Sequence, residues 1–267
     1  MIAFKTPGGF FNTACVYSTY QFLKCDVMRS SVVLTIFNEE GNIKPFTEDI
    51  LKMFDDEGIE GEVILVDDGS FDGSELECKD MVKRDDRVRF FQHQKNMGRA
   101  WAIATGIEHS RGGVVLVMDS DRQYDAGEMP TFIKLVEGGF DMVSGRRPAR
   151  QDRADRRFIS WGYNRFMVRG FLRMGIIDQN SGFKAYSRKA LNVIKFDPEG
   201  YNCLHRYMIA IGLLKGLSFK EIPVKHFPRT TGSSYINPIT GPLYTLLDFL
   251  RFVKTHRKDI NAFKGYP

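Results

Sequence analysis

In the stretch Val114-Val-Leu-Val-Met-Asp119-Ser-Asp121, five apolar residues lead directly into two carboxylates. A short apolar run rich in β-branched residues predicts a strand that is buried on both faces. Asp119 and Asp121 lie one residue apart, so both side chains can approach one cation where the chain turns. The stretch predicts a buried strand ending in a metal site, although Asp-x-Asp alone is also typical of an acidic surface turn.

Strands and helices alternate on both sides of this stretch. Further strands are predicted at 31–37, 62–68, 87–92 and 141–145, and helices at 43–57, from Ser74, at 98–110 and at 129–137. This alternation predicts an α/β fold whose mostly parallel central sheet is covered by helices on both faces. Ligands bind at the carboxyl ends of the strands in such sheets. The acids at strand ends should therefore meet at one edge: Asp67, Asp68, Asp119 and Asp121.

The pattern changes after residue 146. The chain becomes arginine-rich and helical through about residue 174, and a Gly/Ser segment follows at 178–187. A helix near 203–215, a strand at 219–227 and an amphipathic helix at 242–258 complete the prediction. We expect three parts: an atypical N-terminal extension at 1–29, a catalytic domain at 30–235 and a helical tail at 236–267.

Composition excludes several classes of protein. The chain has 267 residues, of which 43% are hydrophobic and 27% charged, as in ordinary globular proteins. The net charge of +5 does not demand a nucleic-acid partner. Four scattered cysteines predict neither a zinc site nor a disulfide framework. No apolar run reaches the ~18 residues of a membrane span, and no secretory signal is recognisable. We therefore expect a cytoplasmic protein.

Eight segments occur in an order that resembles the family 2 glycosyltransferases of the GT-A fold. Within that family, the likeness is greatest to the dolichol-phosphate and polyprenyl-phosphate sugar transferases. The resemblance covers roughly residues 31–235. Its segments are VVLTIFNEE (32–40), EVILVDDGSFDGS (62–74), KNMGRAWAIATGI (95–107), VMDSDRQY (117–124), DMVSGRR (141–147), RRFIS (156–160), DQNSGFKAYSR (178–188) and HFPRTTGSSY (226–235).

The resemblance implies a role for each matching position. It implies Mg²⁺ or Mn²⁺ bound by Asp119, Asp121 and Gln123. It implies nucleotide-sugar contacts from Thr35, Phe37, Glu39, Asp67, Asp68 and Asp119, and phosphate contacts from Arg147, Arg156, Ser160 and Arg229. Asp178 lies in the segment that faces the sugar, and joins Asp119 and Asp121 as a catalytic candidate. Thr35 and Phe37 depart from the family, which often has Pro and Tyr there.

The resemblance implies inverting, metal-dependent transfer from a nucleotide-sugar, with GDP-mannose and UDP-hexoses both open as donors. A hydroxyl acceptor needs a general base, whereas a phosphomonoester is already largely ionised at neutral pH. The arginine-rich second half therefore favours a polyprenyl or dolichyl phosphate acceptor. The alternative is a hydroxyl acceptor in glycolipid or cell-surface polysaccharide synthesis. A nucleotidyltransferase and a non-catalytic sugar-nucleotide binding module are less favoured, because the first strand leads into acidic residues and the Asp-x-Asp set is intact.

The predicted C-terminal helix combines an apolar face with four cations, Arg251, Lys254, Arg257 and Lys258. Basic amphipathic helices lie in membrane interfaces. The same pattern is typical of a helix packed on its own domain or on a partner subunit, so peripheral contact with the cytoplasmic face of a membrane and oligomerisation both stay open.

Overall fold

The computed structural model of the chain describes residues 30–148, 161–195, 204–229 and 240–266. Its strands are β1 (Ser30–Ile36), β2 (Gly61–Asp67), β3 (Val88–Gln92), β4 (Val114–Asp119), β5 (Met142–Arg146), β6 (Lys184–Ser187) and β7 (Phe219–Pro223). Its α-helices are α1 (Ile43–Glu57), α2 (Ser74–Arg84), α3 (Arg99–His109), α4 (Met129–Glu137), α5 (Arg188–Ile194), α6 (Leu204–Leu214), α7 (Thr240–Thr255) and α8 (Arg257–Ala262). A 3₁₀ turn (Ala126–Glu128) precedes α4, and a π-helix (Tyr163–Phe171) follows β5.

The described strands form one seven-stranded sheet in the order β3-β2-β1-β4-β6-β5-β7. All neighbours are parallel except β6, which is antiparallel to both β4 and β5. The predicted mostly parallel α/β fold is therefore confirmed. The register sets Thr35 of β1 opposite Asp119 of β4, and Ile36 opposite Asp67 of β2. The carboxyl ends of these three strands consequently lie level.

Two hydrophobic layers cover the sheet, because successive strand residues point to opposite faces. Val33 of β1 packs in one layer with residues of α3, α6 and α7. Its neighbours Val32 and Leu34 pack in the other layer with residues of α1, α2 and α4. Burial on both faces accounts for the near-continuous apolar sequence of β1, β2 and β4.

The interpretation of 178–187 as a Gly/Ser segment was wrong for its last four residues, which form β6. Lys184-Ala-Tyr-Ser187 is too short and too polar to show a strand pattern, and its neighbours β4 and β5 hold it from both sides. The Ser187 hydroxyl then accepts a hydrogen bond from the Ala190 amide at 3.0 Å and begins α5. The strand predicted at 219–227 ends at Pro223, which has no amide hydrogen for the ladder.

The predicted N-terminal extension, residues 1–29, lies outside the described residues. Part of the arginine-rich segment is described and is helical, as predicted, at Tyr163–Phe171. Two helices occupy the predicted tail, at Thr240–Thr255 and Arg257–Ala262. None of the helices described is both long enough and apolar enough to cross a membrane.

Candidate active site

Asp119 ends β4 and forms an ion pair with Arg99. The Arg99 Nη2 atom, at the first turn of α3, lies 2.6 Å from Asp119 Oδ1. Gly182 packs so tightly against this pair that a β-carbon there would collide with Asp119 Oδ2 and lie 3.3 Å from Arg99 Nη2. Burial raises the pKa of the Asp119 carboxyl, and the positive charge of Arg99 opposes that rise. Arg99 thus favours the ionised form of Asp119.

Asp121 is buried and paired with Arg229, which arrives from the segment after β7. The Arg229 Nη2 atom lies 2.8 Å from Asp121 Oδ2 and 3.2 Å from Glu39 Oε1. Burial raises the pKa of Glu39 to about 7, while Arg229 and the Asn42 amide act against that rise. Arg229 thereby links the loop after β1 to the loop after β4.

Gln123 fastens the segment that carries Arg229. Its side-chain Nε2 donates to the carbonyl of Phe227 at 3.1 Å, and its own carbonyl accepts from the Phe227 amide at 2.9 Å. The Gln123 amide also donates to Asp121 Oδ1 at 3.1 Å. The geometry therefore gives Gln123 a positioning role, and its role as a metal ligand stays a prediction.

The side chains at the end of β4 suit a hard divalent cation. Across the described residues, no three His, Cys, Asp or Glu side chains come together as a complete metal site. Mg²⁺ and similar cations nevertheless take only one or two carboxylates from the protein and fill their shell with substrate phosphates and water. Asp119 and Asp121 fit this partial donor set.

Asp67 and Asp68, the expected nucleoside contacts, make internal hydrogen bonds. Asp67 Oδ1 accepts from the Ser70 amide at 3.0 Å, and Asp67 Oδ2 accepts from Gln92 at 3.1 Å. Asp68 accepts from the amides of Met97 and Gly98 at 2.9 and 2.7 Å. These bonds anchor the loop after β2 and the start of α3. Their part in binding a nucleoside stays a prediction.

Two further expected nucleotide contacts, Thr35 and Phe37, lie around the end of β1. The Thr35 carbonyl accepts a hydrogen bond from the Ser120 hydroxyl at 2.9 Å, which joins the ends of β1 and β4. The half-buried Phe37 ring meets Phe71 edge-on at 6.0 Å between ring centroids. Phe71 is 80% exposed. An exposed aromatic edge beside the strand ends is a suitable surface for a planar base.

Arg147 and Asp178 form a buried two-point ion pair. Arg147 Nε and Nη2 lie 2.7 and 2.9 Å from the two oxygens of Asp178, and both side chains are under one-tenth exposed. The amide of Asp178 in turn donates to Glu221 at 2.8 Å. The guanidinium expected to bind phosphate thus also orients the carboxylate expected to face the sugar. Arg156 and Ser160 lie outside the described residues.

The sequence reasoning missed two cations of this site, Arg99 and Lys184. Arg99 lies in a segment that was interpreted as a helix start, and its pairing with Asp119 depends on how α3 packs on the sheet. Lys184 opens the unpredicted strand β6, where its side chain is 5% exposed. A basic residue one or two positions after a glycine in each motif, Gly98-Arg99 and Gly182-Phe-Lys184, was the available signal.

A mostly parallel sheet with an Asp-x-Asp pair at its carboxyl edge and three arginines beside it is typical of a nucleotide-sugar transferase domain. The chain belongs to glycosyl transferase family 2, since the model of that family matches residues 31–195. This confirms the family and the glycosyltransferase class expected from the motifs.

Two curated relatives have names that specify a polyprenyl phosphate. The chain is 29% identical over 225 residues to a dodecaprenyl-phosphate galacturonate synthase of Rhizobium johnstonii, covering 82% of this chain and 65% of the relative. It is 30% identical over 208 residues to an undecaprenyl-phosphate 4-deoxy-4-formamido-L-arabinose transferase of Shewanella sediminis, covering 76% and 60%. The chain therefore spans less than two thirds of the length of these relatives.

Two solved structures share the GT-A fold. A mannosyltransferase of Pyrobaculum calidifontis in complex with GDP-Man and Mn²⁺ has a TM-score of 0.62 at 18% identity, covering 91% of this chain and 71% of the other. A glucosyl-3-phosphoglycerate synthase of Mycobacterium tuberculosis in complex with Mn²⁺ and UDP-glucose has a TM-score of 0.65 at 16% identity, covering 92% and 84%. At this identity the likeness establishes the fold alone.

Proposed function

We propose that the chain transfers a sugar from a nucleotide-sugar, GDP-mannose or a UDP-hexose, to a polyprenyl or dolichyl phosphate, with inversion and with Mg²⁺ or Mn²⁺. The observation that carries the proposal is the pairing of each central carboxylate with an arginine: Asp119 with Arg99, Asp121 with Arg229, and Asp178 with Arg147. Guanidinium groups bind phosphate oxygens, and these three lie directly beside the carboxylates expected to hold the metal and face the sugar. The two relatives named for polyprenyl phosphates support this acceptor class.

Charge neutralisation is the main demand of this reaction. An oxygen of the acceptor phosphate attacks the anomeric carbon from the face opposite the nucleotide, and the bond from that carbon to the donor's diphosphate breaks. A divalent cation held by Asp119 and Asp121 would stabilise the departing diphosphate. Arg229 adjoins Asp121 and adds positive charge at the same place.

The arginine pairing also bears on the acceptor. Both oxygens of the Asp178 carboxylate accept hydrogen bonds from Arg147, at 2.7 and 2.9 Å. This pairing leaves Asp178 poorly placed to act as the general base for a hydroxyl acceptor. A hydroxyl acceptor requires such a base, whereas a phosphate acceptor at neutral pH does not. The site therefore suits a phosphate acceptor better.

The test compares two lipids that differ only by the phosphate, undecaprenyl phosphate and undecaprenol. Each is incubated in detergent with the purified chain, Mn²⁺ or Mg²⁺, and a panel of radiolabelled nucleotide-sugars. Label should enter the lipid fraction only with the phosphate, and EDTA should prevent it. Transfer to undecaprenol or to free glycans would support the hydroxyl alternative. A complete absence of transfer to the phosphate across the donor panel would contradict the proposal.

We further propose that one face of the domain contacts the membrane surface. Trp161, Phe166 and Phe171 are 56%, 63% and 54% exposed, and Leu247 and Leu250 of α7 are 44% and 54% exposed. The Phe171 ring meets Phe249 of α7 at 5.8 Å, so the π-helix and α7 adjoin. Exposed cations flank these apolar residues: Arg165, Arg169, Arg251 and Lys254.

Aromatic and aliphatic side chains beside cations are typical of a membrane interface rich in anionic lipid. Sedimentation with vesicles should therefore show stronger binding to phosphatidylcholine with phosphatidylglycerol than to phosphatidylcholine alone. Leu247→Glu with Leu250→Glu should weaken that binding. Leu76→Glu is the matched control, because Leu76 is 73% exposed on α2. Equal binding by all variants would contradict this contact.

A further inference from the structure

Lys184 is a buried lysine with two neutral hydrogen-bond partners. Its Nζ atom donates to the carbonyl of Gln179 at 3.1 Å and to the carbonyl of His205, in the first turn of α6, at 3.3 Å. No carboxylate among the described residues lies within ion-pair distance of it, and its side chain is only 5% exposed. Lys184 therefore joins two segments of backbone without an ion pair of its own.

The charged surroundings of Lys184 make its position unfavourable for an ammonium group. The pKa of Lys184 is lowered to about 7, chiefly by burial and also by the positive charges of Arg99, Arg206 and Arg147, while Asp178 opposes them. Burial and the positive charges of Arg99, Arg206 and Lys184 likewise lower the pKa of the neighbouring His205. An apolar side chain of the same length would avoid this desolvation. Packing alone does not explain a lysine here.

The segment that Lys184 holds connects two parts of the candidate active site. At one end, Asp178 pairs with Arg147. At the other end, Gly182 packs against Asp119, and its amide donates to the Tyr124 hydroxyl at 2.8 Å. A displacement of this segment would therefore move both Asp178 and the surface against which Asp119 rests.

We propose that Lys184 is a positioning residue for sugar transfer, which fixes residues 178–182 through the Gln179 carbonyl and thereby sets Asp178 and Asp119 relative to each other. This inference rests on the proposed function. Transfer is sensitive to placement, since a displacement of about 1 Å in a catalytic group lowers a rate by about a hundredfold. A role in transfer explains why a lysine that is unfavourable for folding occupies this buried position and contacts these two carbonyl groups.

The test compares Lys184→Met with Lys189→Met. Met keeps the length of the lysine side chain and removes its charge and its hydrogen bonds. Lys189 lies five residues further along, is 74% exposed and pairs with Asp141 at 3.2 Å, so its replacement reports on a lysine outside the site. Three quantities are measured at pH 7: the midpoint of thermal unfolding, kcat and KM for each substrate, and amide hydrogen exchange of residues 178–182 with the nucleotide-sugar present.

Lys184→Met should unfold at the same temperature as the wild type or higher, exchange faster at residues 178–182, and have a kcat lower by at least about tenfold with a similar KM for the donor. Lys189→Met should match the wild type. Unchanged kcat and exchange in Lys184→Met would overturn the inference. So would a fall in kcat that follows a lower unfolding temperature. If the wild type transfers no sugar, the proposed function fails. Amide hydrogen exchange of residues 178–182 then still tests whether Lys184 fixes this segment.

Discussion

Arg229 and Asp121 form an ion pair across 108 residues of chain, with Arg229 Nη2 2.8 Å from Asp121 Oδ2. The same guanidinium nitrogen lies 3.2 Å from Glu39 Oε1. The protein thus supplies its own positive charge at the carboxylate proposed to bind a metal. Arg229 and a divalent cation act on the same negative charge, so the effect of each should depend on the presence of the other.

Replacing Arg229 should make the protein more dependent on metal for stability. Arg229→Met leaves the buried Asp121 and Glu39 without their cation, and we expect a loss of about 1–3 kcal/mol, reduced by the partial exposure of the arginine. Mn²⁺ should then raise the unfolding temperature more in the variant than in the wild type, because it restores the missing charge. Thermal unfolding in EDTA and in Mn²⁺ measures both effects.

Arg122→Met provides the control for this comparison, since Arg122 pairs with Asp49 on the surface at 3.3 Å. Its response to Mn²⁺ should equal that of the wild type. An equal increment of unfolding temperature in wild type and Arg229→Met would show that Arg229 and the metal do not act on the same carboxylates.

Asp121→Asn should remove most of the activity while keeping the fold. Asn has nearly the same shape and can still accept the hydrogen bond from the Gln123 amide, but it does not carry the charge that neutralises a cation. We expect kcat/KM to fall by at least about a hundredfold, as for the loss of a preorganised electrostatic contact. Initial rates over a range of Mn²⁺ concentrations test this, with Asp49→Asn as a surface control. Near-normal rates would rule out Asp121 as a metal ligand.

The fold was predictable because the strands that position the site are apolar over their whole length. The runs that form β1, β2 and β4 are short and rich in β-branched residues, which favours buried strands over helices. Their parallel register brings Thr35, Asp67 and Asp119 to one edge. The strand β6 was not predictable, since four residues that begin with a lysine show no period. Its burial comes from neighbouring strands that are distant in sequence.

The candidate site was predictable in its residue types and less so in its pairings. The motifs identified Arg147 and Asp178 separately, as a phosphate contact and a catalytic group, whereas the structure joins them in one ion pair. The motifs assigned Gln123 to the metal, which stays a prediction, and did not reveal the contact of its side chain with the Phe227 carbonyl. Such pairings depend on how loops that are far apart in sequence pack, which spacing within a motif does not reveal.

Gly182→Ala should impair activity with little effect on folding outside the site. The added β-carbon would collide with Asp119 Oδ2, so the carboxylate or the 178–182 segment must move. We expect kcat to fall by about tenfold or more. Gly113→Ala is the control, because a β-carbon there meets no atom within 4 Å. Steady-state kinetics and circular dichroism of the two variants give the comparison, and normal kcat in Gly182→Ala would show that Asp119 tolerates the shift.

Arg147→Met should be more harmful to stability than its combination with Asp178→Asn. The single change leaves a buried carboxylate without its cation, at a cost of about 3–5 kcal/mol. The double variant removes the stranded charge and should recover part of the loss. Urea denaturation of both variants and of Asp178→Asn closes a double-mutant cycle. Lys52→Met, in an exposed pair with Asp56, should change stability by less than about 0.5 kcal/mol. Additive effects of Arg147 and Asp178 would contradict a strong pair.

The stability of the protein should rise with pH through the titration of Lys184. Burial lowers the pKa of Lys184 to about 7 in the folded chain, whereas a lysine in an unfolded chain titrates near a pKa of about 10.4. Between these values the unfolded chain binds a proton that the folded chain has released, so the free energy of unfolding increases with pH by up to about 1.4 kcal/mol per unit. Below pH 7 both states hold the proton and this dependence disappears.

Lys184→Met isolates this contribution, because every other titrating group is shared with the wild type. Those that surround Lys184 are Arg99, Arg147, Asp178, His205 and Arg206. We expect the free energy of unfolding, measured with urea at pH 7, 8 and 9, to increase more in the wild type than in the variant at each step. Lys189 is 74% exposed, so the free energy of unfolding of Lys189→Met should change with pH as that of the wild type does. The free energies of unfolding of the wild type and Lys184→Met could instead change equally with pH. Lys184 would then have the same pKa in the folded and unfolded chain, which would contradict its desolvation.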